Sequence, residues 1–128
     1  MDELPSWPSG TVAVLSTGAG EPHAIPVSTA VRRGPREVAF ALALRRESLA
    51  RLRSDSRCAL TLIAAGLSVT ALGRAVVESE GERVAVLRLD VERIQDHDHP
   101  TFEIDEGVRW HWTSEDAARA DAAVRELL

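Results

Sequence analysis

The sequence predicts a mainly β domain with short helices, arranged as a closed or partly closed antiparallel barrel. Three observations predict it. The apolar runs are short and rich in β-branched residues, turns containing glycine or proline separate them, and only two stretches carry helical spacing. At 128 residues the chain is long enough for one hydrophobic core and too short for two generous ones, so residues 1–128 read as a single domain.

Taken in order, "MDELPSWPSG" (1–10) is a polar, proline-interrupted lead-in expected to be loosely held. "TVAVLST" has the brevity and branching of a strand, "GAGEP" is a turn, and "HAIPVSTAV" resumes as an extended segment in which Pro26 suits an edge or unpaired position. "RRGPRE" reads as the next turn and "EVAFALA" as the third strand. Leu49 and Leu52, three apart, place a two-turn helix over 47–54 with its arginines turned elsewhere; so short a helix needs a surface to pack on. "CALTLIAA" and "SVTALGRAVVESE" are strands joined at Gly66, and "GERVAVLRLDVERI" admits either a strand or a helix over 82–94. "TFEI" and "VRWHW" suggest a short hairpin around "DEG". Thr113 is expected to cap a C-terminal helix over 114–127, with Asp116 three residues on and Ala117, Ala120, Val124 and Leu127 as its apolar stripe. The total is six or seven strands and two helices.

The formal charge of −5, with both signs mixed along the chain, gives no reason to expect nucleic acid or an anionic membrane as partner. Cys58 is the single cysteine, which excludes a disulfide within the chain and fits a reducing, cytoplasmic setting; no segment has the length and apolarity of a membrane span. No GxxxxGK[ST] or GxGxxG loop, GxSxG elbow or HExxH pair is present. The tract "DHDHP" (96–100) reads as a solvated loop, with a divalent ion as the lesser alternative. Trp110 and Trp112 share one side of their segment, and core, dimer contact or a wall for ring stacking all suit them.

The arginines between Arg45 and Arg57 carry more information. Arg45 and Arg46 stand where a strand gives way to the short helix, Ser48 and Arg51 lie in its first turns, and Arg57 precedes the following strand. Planar guanidinium donors, a hydroxyl and helix-terminal N–H groups together suit a phosphate. The same arginines equally suit a solvated surface on which they pair with Glu47 and Asp55.

Four segments in this order, "AVLSTGAGEPHAIPVS" (13–28), "EVAFALA" (37–43), "ESLARLRSDSRCALTL" (47–62) and "VTALGRAVV" (69–77), resemble the flavin-binding split barrels of the pyridoxamine 5'-phosphate oxidase-like superfamily, which includes deazaflavin-dependent reductases. The resemblance covers about half the chain and implies a six-stranded antiparallel split β-barrel. It also implies a homodimer with two cofactor clefts between its barrels and FMN as cofactor. Transposed residue by residue, it brings Val27, Ser28 and Thr29 near the flavin ring, Arg45, Arg46, Ser48 and Arg51 to the phosphate, Ser68 to a cross-strand polar contact, and Gly73-Arg74 to the family's glycine-basic pair. Trp110, with Trp112, becomes a candidate stacking wall. Glu47 and Ser48 stand where family members often carry an arginine-lysine pair, and a carboxylate there repels phosphate unless Arg46 or Arg51 takes over that contact. The implied function is an FMN-binding oxidoreductase passing hydride or electrons to a small substrate; a deazaflavin-dependent reductase and a cofactor-free dimeric binding protein are the alternatives. No residue stands out as catalytic, and His23 and His111 qualify as proton donors only where the fold brings them to the ring.

Overall fold

The structure, a computed structural model, describes residues 1–128. Seven strands and two helices follow one another as β1 (Ala13–Thr17), β2 (His23–Val27), β3 (Val31–Gly34), β4 (Glu37–Ala43), α1 (Glu47–Ser54), β5 (Arg57–Ala64), β6 (Leu67–Glu80), β7 (Val84–Asp96) and α2 (Glu115–Arg125). All pairings are antiparallel, in the order β2-β1-β5-β6-β7-β4-β3. The two edge strands, β2 and β3, are consecutive in the chain and joined by Ser28, Thr29 and Ala30. Laid flat at about 4.8 Å per strand, such a sheet would hold its edges roughly 29 Å apart. The path from Val27 to Val31 reaches about 14 Å at full extension. The sheet must therefore roll into a barrel, split along the seam that these three residues cross. Thr29 stitches that seam: its Oγ1 accepts from the Ala41 N–H at 3.0 Å and donates to the Ala41 carbonyl at 3.3 Å.

Strand alternation fills the interior. Ala13 and Leu15 of β1, Val38, Phe40 and Leu42 of β4, Leu60 and Leu62 of β5, and Ala85, Leu87 and Leu89 of β7 are buried in one continuous core. Leu49 and Leu52 bring α1 onto this core, over the residues the spacing predicts. The ambiguous segment after Gly81 is a strand, because β7 finds ladders on both sides, β6 on one and β4 on the other. Hydrogen bonds to two neighbours decide what periodicity alone left open. The long β6–β7 pair bends at two bulges, Leu72/Gly73 and Val77/Ser79, as barrel corners require.

Four expectations are corrected. The barrel has seven strands rather than the six the resemblance implies, because part of the expected "RRGPRE" turn is the edge strand β3, in which exposed Arg33 pairs with Glu78 and half-buried Arg32 donates to the Leu4 carbonyl. Residues 1–10 are fastened to the barrel: Leu4 is buried, its N–H donates to the Pro35 carbonyl, and the Trp7 indole donates to Ala30 at the seam. "TFEI" and "VRWHW" form no hairpin beyond a single His99–Phe102 bridge. Residues 103–112 instead lie along the barrel, with the Ile104 carbonyl accepting from Gly66 and the Trp110 indole donating to Gly10. Finally, Ser114 rather than Thr113 caps α2, its Oγ accepting from the Ala117 N–H at 3.1 Å. No helix is long and apolar enough to cross a membrane.

Two stability tests follow from the core. A Cβ on Gly73 would lie 2.0 Å from the Asp90 carbonyl oxygen on β7, so Gly73→Ala must push the two longest strands apart. Its expected cost is about 2–3 kcal/mol, read from the urea midpoint. Burial pushes the Cys58 thiol from its ordinary 9.0 up to about 12. The chain contains neither lysine nor tyrosine, so no other side chain titrates near that window. Between those two values the unfolded chain has lost the thiol proton that the folded chain keeps, and stability falls as pH rises, by up to about 1.4 kcal/mol per pH unit. Cys58→Ala should flatten this alkaline limb; a limb unchanged in the variant would refute the assignment.

Candidate functional site

A cleft of about 520 Å³ opens along the seam. One wall is β2 and the link after it, Ile25 to Thr29; the floor is the end of β4, Ala41 to Ala43; the far wall is α2, through Ala117, Ala120, Asp121 and Val124. Trp112 lines it as well, and Arg45 and Arg46 stand at the β4–α1 end. It is therefore an apolar slot with positive charge concentrated at one place.

The charge is available. Both Arg45 and Arg46 are exposed, and neither guanidinium makes an ion pair or hydrogen bond within the chain. Arg46 adopts the extended conformation of an N-cap without a side-chain cap to α1. Arg51 is committed elsewhere: its Nη1 donates to the Ala19 carbonyl at 2.5 Å and the Glu21 carbonyl at 2.9 Å, and its Nε faces Glu47 at 3.4 Å. Arg57 is held by Asp55, whose carboxyl it lowers to about 2 mainly through side-chain hydrogen bonds. The two readings of the arginine cluster thus divide by residue, with Arg51 and Arg57 paired and Arg45 and Arg46 free.

Val27, Ser28, Thr29, Arg45, Arg46 and Trp112 are brought together in this cleft, whereas Ser48, Arg51, Ser68, Arg74 and Trp110 lie outside it. Ser48 lies in the first turn of α1 on its buried side, with its Oγ 3.0 Å from Nε2 of His23. Ser68 sits on β6, where its carbonyl accepts from the His97 N–H. Arg74 pairs with Glu92 at 3.4 Å and reaches Ser56. Trp110 packs edge-on against Trp112, with ring centroids 5.1 Å apart, but donates to Gly10 and lines a separate groove beside Ile63. Trp112 is the indole that faces the cleft.

Sequence reasoning missed the contribution of α2. Arg125 donates from Nε to Asp121 at 2.7 Å, four residues back, and from Nη2 to the Ser28 carbonyl at 2.8 Å, clamping the helix to the seam. An arginine four residues after an aspartate was the available signal, though its partner 97 positions away was not. No residue of α2 is fully buried, so this clamp matters to where the helix rests.

Two further arrangements have the look of chemistry. Ser48, His23 and Glu47 are linked in the order of a nucleophile relay, Oγ to Nε2 at 3.0 Å and Nδ1 to the carboxylate at 3.0 Å. Ser48 is only 1% exposed, so no acyl group reaches its oxygen, and the chain serves to tie β2 to α1. In the tract 96–100, His97 turns to Thr70 at 2.7 Å while His99 turns to Thr101 and stacks on Phe102. No group of three or more histidine, cysteine or acidic side chains converges.

No family model matches the chain, and no curated protein matches it. Solved structures do. A Listeria innocua protein provisionally named pyridoxamine 5'-phosphate oxidase superposes with a TM-score of 0.59 at 14% identity, covering 68% of this chain and 88% of that one. General stress protein 26 of Bacillus anthracis gives 0.57 at 13% identity, covering 79% and 90%. An FAD-binding protein of Mesorhizobium loti gives 0.56 at 13% identity, covering 66% and 83%. Identities this low establish architecture and leave function to the site. What these superpositions show is a shared split-barrel fold.

Proposed function

We propose that the seam cleft binds FMN and that the protein is a flavin-dependent oxidoreductase acting on a small substrate. The observation that carries this reading is the pair of unpartnered guanidinium groups, Arg45 and Arg46, at one end of an otherwise largely apolar slot. Its volume of about 520 Å³ falls within the roughly 300–1,000 Å³ of cofactor sites. An apolar ring system along Val27 and Ala41, with a phosphate dianion at Arg45 and Arg46, matches the lining in both polarity and order. The likeness in fold to a protein described as FAD-binding agrees with it.

When bound, a flavin supplies hydride or electron transfer at its ring. The chain's own part is placement. β2 and the Ser28–Thr29 link give a wall fixed by the Thr29 stitch, Trp112 offers an aromatic face, and α2 bounds the opposite side. The arginines neutralise the anionic end and so orient the ring. His23 is engaged with Glu47 and Ser48, and His111 is exposed, so neither is assigned a proton-transfer role.

Protein purified from a flavin-containing host should show an absorption band at about 450 nm that dithionite bleaches. Arg46→Ala should weaken FMN about tenfold or more and riboflavin by less than about twofold, since only FMN offers the dianion. Equal weakening of both removes Arg46 from phosphate binding. A colourless protein stabilised against heat by a deazaflavin and not by FMN transfers the reading to that cofactor, and stabilisation by neither removes the oxidoreductase.

A homodimer is part of the same proposal. Val14 and Ile63 present aliphatic side chains, 39% and 41% exposed, on the outward face of β1 and β5, beside the Thr61–Thr70 pair. A second copy laid on that face would cover them. Sedimentation at the mass of two chains is expected, and sedimentation at the mass of one refutes it.

A further inference from the structure

The residue immediately after Arg45 and Arg46 is an acid. Glu47 opens α1, where a carboxylate suits the positive end of the helix but opposes any other anion held there. The fold turns that carboxylate away from the cleft. Its Oε2 lies 3.0 Å from Nδ1 of His23 and 3.4 Å from Nε of Arg51, with neither Arg45 nor Arg46 in contact. Glu47 is absent from the cleft lining, whereas both arginines belong to it.

His23 is well built to hold it there. Its ring is anchored at both nitrogens, Nδ1 on Glu47 and Nε2 on the buried Ser48 hydroxyl, and its side chain is 20% exposed. Arg51 offers less, because its guanidinium is already drawn to the Ala19 and Glu21 carbonyls and its contact with Glu47 is the longer. Glu47 itself is 64% exposed and otherwise untethered.

We propose that His23 is a positioning residue for the anion subsite: by holding the Glu47 carboxylate at the start of β2, it leaves Arg45 and Arg46 to an incoming phosphate. The inference rests on the phosphate role given above to those arginines. Without His23, the carboxylate is free to swing toward the guanidinium groups, where it competes with the dianion and repels it.

The test is a double-mutant cycle on dissociation constants for FMN and riboflavin, using the full chain and four proteins: the parent, His23→Ala, Glu47→Gln and the double variant. His23→Ala is expected to weaken FMN about fivefold and leave riboflavin within about twofold. Glu47→Gln alone is expected to change FMN affinity by less than about twofold, and His23→Ala added to it should have no further effect. Equal loss of both ligands in His23→Ala, or the same loss in the Glu47→Gln background, reduces His23 to a structural tie and overturns the proposal. If His23→Ala does not fold, Glu47→Gln decides: FMN binding several-fold tighter than in the parent would mean that the carboxylate already faces the phosphate, and the proposal fails. A parent protein that binds neither ligand overturns the flavin reading itself, and the role of His23 with it.

Discussion

Three residues, Ser28 to Ala30, join the two edges of a seven-stranded sheet, and the molecule's shape is the answer to that constraint. A link so short forbids a flat sheet, so the strands roll and the hydrophobic faces of β1, β4, β5, β6 and β7 converge on one core. The same link cannot itself complete the ladder, because the chain leaves β2 and enters β3 there. The barrel is consequently split where backbone groups need other partners. Thr29 supplies one through Ala41, Trp7 another through Ala30, and Arg125 a third through Ser28. The cleft is the space that remains between those ties.

Placing a site at the seam has an energetic logic. Elsewhere in the barrel, inward side chains are packed by strands on every side, and opening a cavity there would cost dispersion and burial together. At the seam the backbone is irregular, the walls are of different kinds, and a planar ligand can take the place of a missing neighbour. α2 covers this gap without entering the core. It rests on a small apolar stripe and one guanidinium clamp, which leaves it among the less stable parts of the structure.

Charge is distributed with similar economy. All fifteen basic residues are arginine, and most are bound to a carboxylate or to a backbone carbonyl. Arg36 donates to carbonyls of Asp2, Val91 and Glu92, and Arg51 to those of the β1–β2 turn. Guanidinium suits this because one group reaches several acceptors at fixed angles. Arginine count in a sequence therefore says little about anion binding here; what matters is which guanidinium groups remain after the fold has used the others.

The sequence by itself determined the strands with alternating or continuous apolar runs, the span of α1 and the existence of α2, because hydrophobic periodicity and capping chemistry act over neighbouring residues. Arg45 and Arg46 came forward from their place where a strand gives way to a helix, whereas Val27, Ser28 and Thr29 came forward only through the resemblance to split barrels. Tertiary structure alone decided β3, whose arginines are held by Leu4 and Glu78 far away in the chain, and β7, whose state depended on ladders to two remote partners. It likewise decided that Trp112 rather than Trp110 faces the cleft, that Arg51 is engaged with turn carbonyls, and that Arg125 reaches Ser28. Each of these rests on a hydrogen bond or contact between residues far apart in the chain, and such pairings leave no mark in local spacing.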